Sequence, residues 1–177
     1  MIGTLISSKT RIKLLLKFFL NSNNRGYLRG LAHEFGESSN SIRLELNRLA
    51  KSGLLTTSLE GNKKYFRANI QHPLFGDIHN ILMKYVEFDK IITNIVEKLG
   101  NLKKVYVLGS FANGIDSIVI DLMLVGEIDK QFLIKLVEKA ETIISRKIRY
   151  IIFEDLSYVA WDQFESDPLL LWELQDL

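Results

Sequence analysis

The chain has 177 residues, of which 47% are hydrophobic, so it holds enough apolar material for two small domains with packed cores. Its lack of cysteine excludes disulfide bonds and thiolate metal sites, and its three histidines, His33, His72 and His79, show no ligand spacing. No apolar run approaches the roughly 20 residues that a membrane-spanning helix needs, so we expect a cytoplasmic protein with no membrane partner, metal or cofactor.

The formal net charge of +2 hides two halves of opposite sign. Residues 1–72 contain 12 Lys or Arg and 4 Asp or Glu, which gives a net charge of +8. Residues 73–177 contain 11 and 17, respectively, which gives a net charge of −6. A basic half suits a polyanion, so the charge distribution predicts that only the first half contacts nucleic acid.

Three short helices are predicted in the first half. Apolar residues recur at helical spacing in residues 9–20 and, after the loop NSNNRG, in residues 27–35, where Gly36 ends the second helix. A third helix starts after Ser38, a residue type that caps helices, and ends at Gly53, a residue type that readily adopts the left-handed conformation. Together these helices predict a helix-turn-helix.

The third helix has two different faces. Its apolar face is formed by Ile42, Leu46, Leu49 and Ala50. Its polar stripe is formed by Asn40, Arg43, Asn47 and Lys51. Such a stripe is most often a solvated surface, but the three-helix context favours DNA recognition. Leu44 falls among the polar residues, so it contacts a thymine methyl group, packs on a dimer partner, or shows that the assigned faces are slightly rotated.

A β-hairpin is predicted directly after the third helix. The segments LLTTSL and KYFRAN flank the turn residues 60–63, and Lys63, Lys64 and Arg67 lie at the tip and on the return strand. Basic residues at these positions suit DNA phosphates. We therefore interpret the hairpin as a wing that binds double-stranded DNA beside the third helix.

Residues 8–69 resemble the winged-helix domains of bacterial and archaeal regulators of the arsenic-repressor-like (ArsR-like) group, on the segments LNRLAKSGLL and GNKKYFRAN. The resemblance implies a dimeric transcriptional regulator whose third helix enters the major groove. It also implies base or phosphate contacts from Ser39, Asn40, Arg43 and Asn47. The metal-sensing cysteines of some members are absent here, so metal sensing is not implied.

Residues 73–100 predict one long helix or two, which would link a winged-helix domain of residues 1–72 to a domain of residues 101–177. Helix-turn-helix proteins bind paired half-sites, so we expect a homodimer. The residues that could meet their counterparts in a second subunit are Leu74, Ile78 and Leu82. Packing on the winged helix or on the following domain would give the same pattern.

The second half predicts an α/β layout, so the expected fold class is α+β overall. Strands are expected at residues 104–108, 118–125 and 148–153, with an amphipathic helix at residues 130–145. The tail, including LLLWEL, is expected to form short covering helices, with Trp161 and Trp172 completing the core.

The sequence predicts a phosphate site at Gly109-Ser110, where a strand is followed directly by the start of a helix. With the next strand, IVIDLMLVG, residues 88–153 resemble the nucleotidyltransferase fold. The resemblance implies that the Gly-Ser turn holds a nucleoside triphosphate and that an Asp-x-Asp motif binds Mg²⁺. Here that motif reads Val119-Ile120-Asp121, and Arg149 occupies the position of the third carboxylate.

Two-metal phosphoryl transfer requires clustered carboxylates, but Val119 offers no oxygen and Arg149 repels Mg²⁺. We therefore expect a catalytically inactive domain in a chain that is not an enzyme. The domain would be retained for interaction, dimer support or nucleotide sensing, with a nucleotide or a protein as its partner. Asp121 is expected to pair with Arg149, unless Arg149 points into solvent from an edge strand. The combined layout resembles a group of bacterial and archaeal regulators.

Two other functions stay open at this point. One is an active nucleotidyltransferase that modifies a protein partner such as a toxin. The other is a protein-interaction module that has lost DNA binding.

Overall fold

The computed structural model describes residues 6–175, and the chain divides into two compact units between Tyr85 and Val86. Each unit combines helices with one β-sheet, which makes this an α+β protein. The division falls inside residues 73–100, the predicted linker segment. Within the described range, no helix is both long enough and apolar enough to cross a membrane.

The first unit contains the predicted helices and hairpin. Its elements are α1 (Lys9–Leu15), a π-helical continuation (Leu16–Leu20), β1 (Arg25–Tyr27), α2 (Leu28–Phe35), α3 (Ser39–Lys51), β2 (Leu55–Glu60), β3 (Lys63–Ala68) and α4 (Phe75–Tyr85). The Ser38 hydroxyl accepts a hydrogen bond from the Ser41 amide at 3.1 Å and so caps α3. Gly53 then has φ 78°, a conformation that favours glycine, and it turns the chain into β2.

The strand β1 is a feature that the sequence did not predict. The antiparallel sheet has the order β1-β3-β2, with Gly26 opposite Phe66 and Tyr27 opposite Tyr65. Since β1 has only three residues, it shows no alternation of its own and exists through its pairing with β3. The second helix consequently begins at Leu28 instead of Tyr27. The order of elements is that of a winged helix-turn-helix.

The core of the first unit lies where α1 and its continuation pack against α2 and α3. The side chains that are at most 1% exposed there are Leu14, Phe18, Phe19, Leu20, Leu31, Ile42 and Leu46. Each is an apolar residue of a predicted helix. Burial of these side chains fixes the orientation of α3 and leaves its polar stripe in solvent.

The predicted linker forms two helices. α4 ends at Tyr85, Glu87 adopts a left-handed conformation with φ 66°, and α5 begins at Phe88. Pro73 lies before α4 and is not its first residue. Leu82 is only 1% exposed, which agrees with the alternative that it packs within the chain and not on a second subunit.

The orientation of α4 explains why Leu82 is buried. The Nδ1 atom of His79 lies 2.8 Å from the carbonyl oxygen of Phe19, and the ring of Phe75 packs on the ring of Phe19. These contacts turn Leu82 inward. Leu74 and Ile81 remain about half exposed.

The second unit contains a four-stranded sheet with the order β6-β5-β4-β7, in which only β5 and β6 are parallel. Its elements are α5 (Phe88–Asn94), a 3₁₀ turn (Val96–Lys98), β4 (Leu102–Leu108), α6 (Gly109–Ala112), β5 (Val119–Gly126), α7 (Lys130–Ile143), β6 (Lys147–Phe153), two further 3₁₀ turns (Leu156–Tyr158 and Trp161–Gln163) and β7 (Leu169–Glu173). On one face of the sheet, Met123 and Val125 of β5 pack against Val159 of the tail. The tail therefore covers part of that face.

Two predictions for the tail are wrong. The segment that begins at Leu169 is a strand paired with β4, whereas a covering helix was expected. Its apolar run is too short for periodicity to distinguish helix from strand, and the edge of β4 offered a partner. Trp161 remains 42% exposed and packs edge-on against Tyr106, so it does not complete the core, and Trp172 is only partly buried.

Candidate nucleic-acid interface

A groove of about 510 Å³ separates α2 and α3 from the wing, the hairpin of β2 and β3. Its lining residues are Tyr27, Leu28, Arg29, Arg43, Leu46, Asn47, Asn62, Lys63, Lys64 and Phe66. The lining thus contains four cations and no carboxylate. A concave surface lined by one sign of charge concentrates the field and attracts the opposite charge.

The structure brings together half of the predicted DNA-binding residues. Arg43 and Asn47 from α3, and Lys63 and Lys64 from the wing, all line this groove and are all exposed. The fold therefore places the side chains predicted to read bases beside those predicted to bind phosphates.

The other four predicted residues are exposed but lie outside the groove lining. Ser39 and Asn40 occupy the first turn of α3, and Lys51 occupies its last residue. Arg67 lies on β3 opposite Arg25 of β1. Arg67 shares a strand face with Lys63 but lies four residues further from the hairpin turn, outside the groove lining.

Arg29 is a groove residue that the sequence pattern did not indicate. It lies in the first turn of α2, is exposed and lines the groove with the two residues from α3. The sequence does show that Arg29 lies outside the apolar face of the second predicted helix and therefore points outward. That signal does not show which outward residue faces the wing, because the answer depends on the rotation of α2 against β3.

Aromatic rings of the small sheet hold the wing cations. The Lys63 ammonium lies 4.6 Å from the centre of the Tyr27 ring, and the Lys64 ammonium lies 5.4 Å from that of Phe66. In the same sheet, Arg25 stacks 4.7 Å from the ring of Tyr65. Exposed cation–π contacts contribute only about 0.5–1 kcal/mol, so they position the ammonium groups and leave them available to an anion.

A buried carboxylate anchors α3 to the start of α1. Glu45 is 6% exposed and accepts hydrogen bonds from Arg11 Nε at 2.8 Å and from the Ser8 hydroxyl at 3.1 Å, with Arg48 at 3.2 Å. Burial by itself raises the pKa of Glu45, but the hydrogen bonds from Arg11 and Ser8 outweigh it and hold the pKa below the ordinary value. Glu45 therefore stays ionised and fixes the angle of α3.

In the second unit, the predicted pairing of Asp121 with Arg149 is confirmed. The two residues are partners in the β5–β6 register, with Arg149 Nε 2.6 Å from Asp121 Oδ1 and Arg149 Nη2 2.9 Å from Oδ2. Gly109 adjoins them, since a Cβ atom there would lie 3.2 Å from Asp121 Oδ2. Both oxygens of the carboxylate are thus bound by a cation.

The remaining residues of this predicted nucleotide site offer no ligand cluster. Val119 faces Lys147 in the sheet register, and Ser110 is exposed on the one-turn helix α6. Among residues 6–175 there is no group of three or more His, Asp or Glu residues placed to hold a metal ion. The arrangement binds the Asp121 carboxylate to protein and does not present it to a ligand.

No protein-family model matches the sequence, and no curated protein matches it either. Several solved structures are similar to about half of the chain. Reduced HlyU from Vibrio cholerae is 14% identical with a TM-score of 0.38, covering 48% of this chain and 83% of that chain. The antimony-specific transcriptional repressor AntR is 20% identical with a TM-score of 0.38, covering 50% and 77%.

A third similar structure is the homodimeric winged helix-turn-helix DNA-binding domain of a possible ArsR-family transcriptional regulator from Mycobacterium bovis. It is 16% identical with a TM-score of 0.37, and the match covers 49% of this chain and 75% of that chain.

Proposed function

We propose that the protein is a sequence-specific, double-stranded DNA-binding transcriptional regulator of the ArsR-like winged-helix type. The observation that carries the proposal is the groove between α3 and the wing, which gathers four cations without a carboxylate. Such a lining suits a phosphate backbone, and α3 supplies side chains that recognise base edges.

Each groove side chain has a chemistry that suits one part of a duplex. The Arg43 guanidinium can donate two hydrogen bonds to a guanine, and the Asn47 amide can bond an adenine in the same bidentate way. Lys63 and Lys64 neutralise phosphates beside the major groove, and Arg29 adds a third phosphate contact from α2. Ser39 and Asn40, at the start of α3, contact the backbone or the first base pair.

We propose that the regulator acts as a homodimer, because one helix-turn-helix reads one half-site and two-fold related copies read two. This argument rests on the two-fold arrangement of half-sites and does not require an effector ligand. Two half-sites about 34–36 Å apart, or a multiple of that distance, are expected in the operator.

For the second unit, we propose a catalytically inactive nucleotidyltransferase-like domain that serves interaction or sensing. The support is the bidentate contact of Arg149 with Asp121, which occupies the only carboxylate of the motif. Titration with ATP in the presence and absence of Mg²⁺ tests this role. We expect no Mg²⁺-dependent binding at micromolar ATP, and such binding would revive the alternative of an active transferase.

The test of DNA binding is a selection of bound fragments from genomic DNA, followed by titration of the enriched fragment and of random duplex at the same salt concentration. We expect the enriched fragment to bind at least a thousandfold more tightly than random DNA. Equal affinity for both would contradict sequence-specific regulation, and no binding to either would leave an interaction module as the better account.

A further inference from the structure

Every exposed residue of α3 but one is polar, and the exception is Leu44. The exposed residues of this helix are Ser39, Asn40, Arg43, Leu44, Asn47, Arg48 and Lys51. Leu44 is 51% exposed, whereas Glu45, the single carboxylate of α3, is buried. An exposed leucine is common on protein surfaces and indicates little by itself. The side chains around Leu44 are what make it informative.

Leu44 lies within the stripe of α3 that the proposed function assigns to base reading. At about 100° per residue around the helix axis, it is about 40° from Asn40 and about 60° from Asn47. Ile42, which is 0% exposed, lies about 160° away from Leu44, on the side that packs in the core. Leu44 therefore points almost directly away from the core, which is the side that a recognition helix turns towards the major groove.

The major groove contains one apolar group that suits such a side chain. Of the four bases, thymine alone carries a methyl group there, beside the hydrogen-bond donors and acceptors of the base edges. A leucine set among amide and guanidinium groups can contact this methyl group while its neighbours bond to adjacent base edges or phosphates.

We propose that Leu44 packs on the methyl group of a thymine in each operator half-site and is a specificity-determining residue of the regulator. The inference rests on the proposed DNA binding, to which it adds the identity of one base and the residue that reads it.

A protein partner suits this side chain less well than a base pair does. The residues three and four positions from Leu44 are its neighbours on the helix surface, and all of them are polar, namely Asn40, Ser41, Asn47 and Arg48. A protein that covered Leu44 would also remove these groups from water, at a cost that one leucine does not offset. Base edges and phosphates instead offer hydrogen bonds to the same neighbours.

The test compares thymine with uracil, which lacks only the methyl group. Each thymine in one half-site of the selected operator is replaced singly by deoxyuridine, and the full-length protein is titrated with every duplex. We expect one replacement to weaken binding by the wild type about fourfold, because the methyl group loses its apolar contact. In Leu44→Ala the same replacement should change the affinity less than about 1.5-fold, because the contact is already absent.

The matched control is Leu74→Ala. Leu74 is 53% exposed, nearly as much as Leu44, and it belongs to the same unit but lies outside α3. We expect this variant to keep the fourfold preference of the wild type for thymine, whatever it does to the overall affinity.

A second variant, Leu44→Gln, keeps the length of the side chain and a good helix former, so it serves if Leu44→Ala does not fold. It should lose the thymine preference as well. No thymine preference in the wild type, or a preference that the Leu44 variants retain, would overturn the inference and leave DNA binding intact. An equal loss of affinity for thymine and uracil duplexes in these variants would also overturn it, since it would indicate a protein contact. Binding to no duplex at all would instead refute the proposed function, and this inference with it.

Discussion

The two charged sites of this chain use their cations in opposite ways. In the groove of the first unit, Arg29, Arg43, Lys63 and Lys64 form no ion pair with a carboxylate among residues 6–175. In the second unit, Arg149 is held by both oxygens of a carboxylate. The first site is open to an anion from outside, and the second has satisfied its charge internally.

This difference shows that the number of cations is a weaker guide to function than their partners. Exposed ion pairs contribute little to stability, but a paired cation has much less attraction left for phosphate. The wing uses aromatic rings to position its lysines, which fixes them without neutralising them. The sharpest predictions are therefore those that remove or create partners at one site and leave the other unchanged.

The largest expected effect comes from the base-reading side chains. Arg43→Ala and Asn47→Ala should each weaken specific DNA binding by about 1–3 kcal/mol and relax discrimination at one base pair. Both side chains are exposed, so the unfolding transition should not move. Competition titrations against single-base variants of the operator measure the effect.

Arg149→Ala is the control for these variants, and it should leave DNA affinity unchanged. Full affinity and full discrimination in both α3 variants would show that α3 does not read bases.

The contact that anchors α3 beside the groove can be weakened by a substitution that leaves the four groove cations in place. Glu45→Gln removes the charge that Arg11 and Ser8 stabilise, and we expect the free energy of unfolding to fall by about 1 kcal/mol at pH 7. This loss of stability is small for a hydrogen-bonded charge, because water can reach the guanidinium groups of Arg11 and Arg48. Urea denaturation measures it.

The effect of Glu45 should depend on pH in one direction. Burial raises its pKa, but the hydrogen bonds outweigh burial and hold the pKa below the ordinary value of 4.5. The ionised Glu45 carboxylate therefore contributes its full stabilisation above about pH 4.5, and this contribution is lost as the pH falls through the lowered pKa of Glu45. The control is Glu60→Gln, which removes an exposed ion pair with Arg25. If the free energies of unfolding of wild type and Glu45→Gln differed more in acid than at pH 7, this explanation would be contradicted.

Much of the first unit could be predicted from sequence, because its signals are local. Helical periodicity, the Ser38 cap and the two-residue turn between β2 and β3 each act within a few residues. The strand β1 and the position of Arg29 could not be predicted, because both depend on how distant segments pack. The same limit explains the burial of Leu82 and the assignment of β7 to a helix.

In the second unit, the contact between Asp121 and Arg149 could be predicted because a family resemblance aligned the two strands that carry them. Asp121 and Arg149 occupy positions that the nucleotidyltransferase resemblance assigns to converging carboxylates, so their proximity followed from that alignment. The free edge of β6 could not be predicted, because sheet order is set by tertiary contacts and not by the residues of one strand.

A smaller effect is expected from the wing. Lys63→Ala and Lys64→Ala should each weaken binding to all duplexes alike. Each should also make the slope of log K against log salt shallower by about 0.9 per protomer, or about 1.8 for the proposed homodimer. Arg67→Ala sharpens the comparison, since Arg67 lies outside the groove lining and should change the slope less. A loss confined to one DNA sequence would count against a phosphate-binding wing.

The smallest effect is expected from restoring carboxylates in the second unit. Val119→Asp with Arg149→Asp clusters three carboxylates around the site and should confer weak Mg²⁺ binding, at about millimolar affinity. Isothermal titration of the variant and wild type with MgCl₂ measures the gain. A variant that folds but binds no more Mg²⁺ than wild type would show that the missing carboxylates are not what prevents metal binding.

The most direct test of the central claim compares the salt dependence of DNA binding in two variants of equal charge. One replaces Arg29, Arg43, Lys63 and Lys64 with alanine, and the other replaces four exposed lysines of the second unit, Lys98, Lys130, Lys135 and Lys139. We predict that the slope of log K against log salt, about −5 for a wild-type homodimer with three phosphate contacts in each protomer, approaches zero in the groove variant and is retained in the control. A slope that is retained in the groove variant would contradict the assignment of DNA binding to the groove.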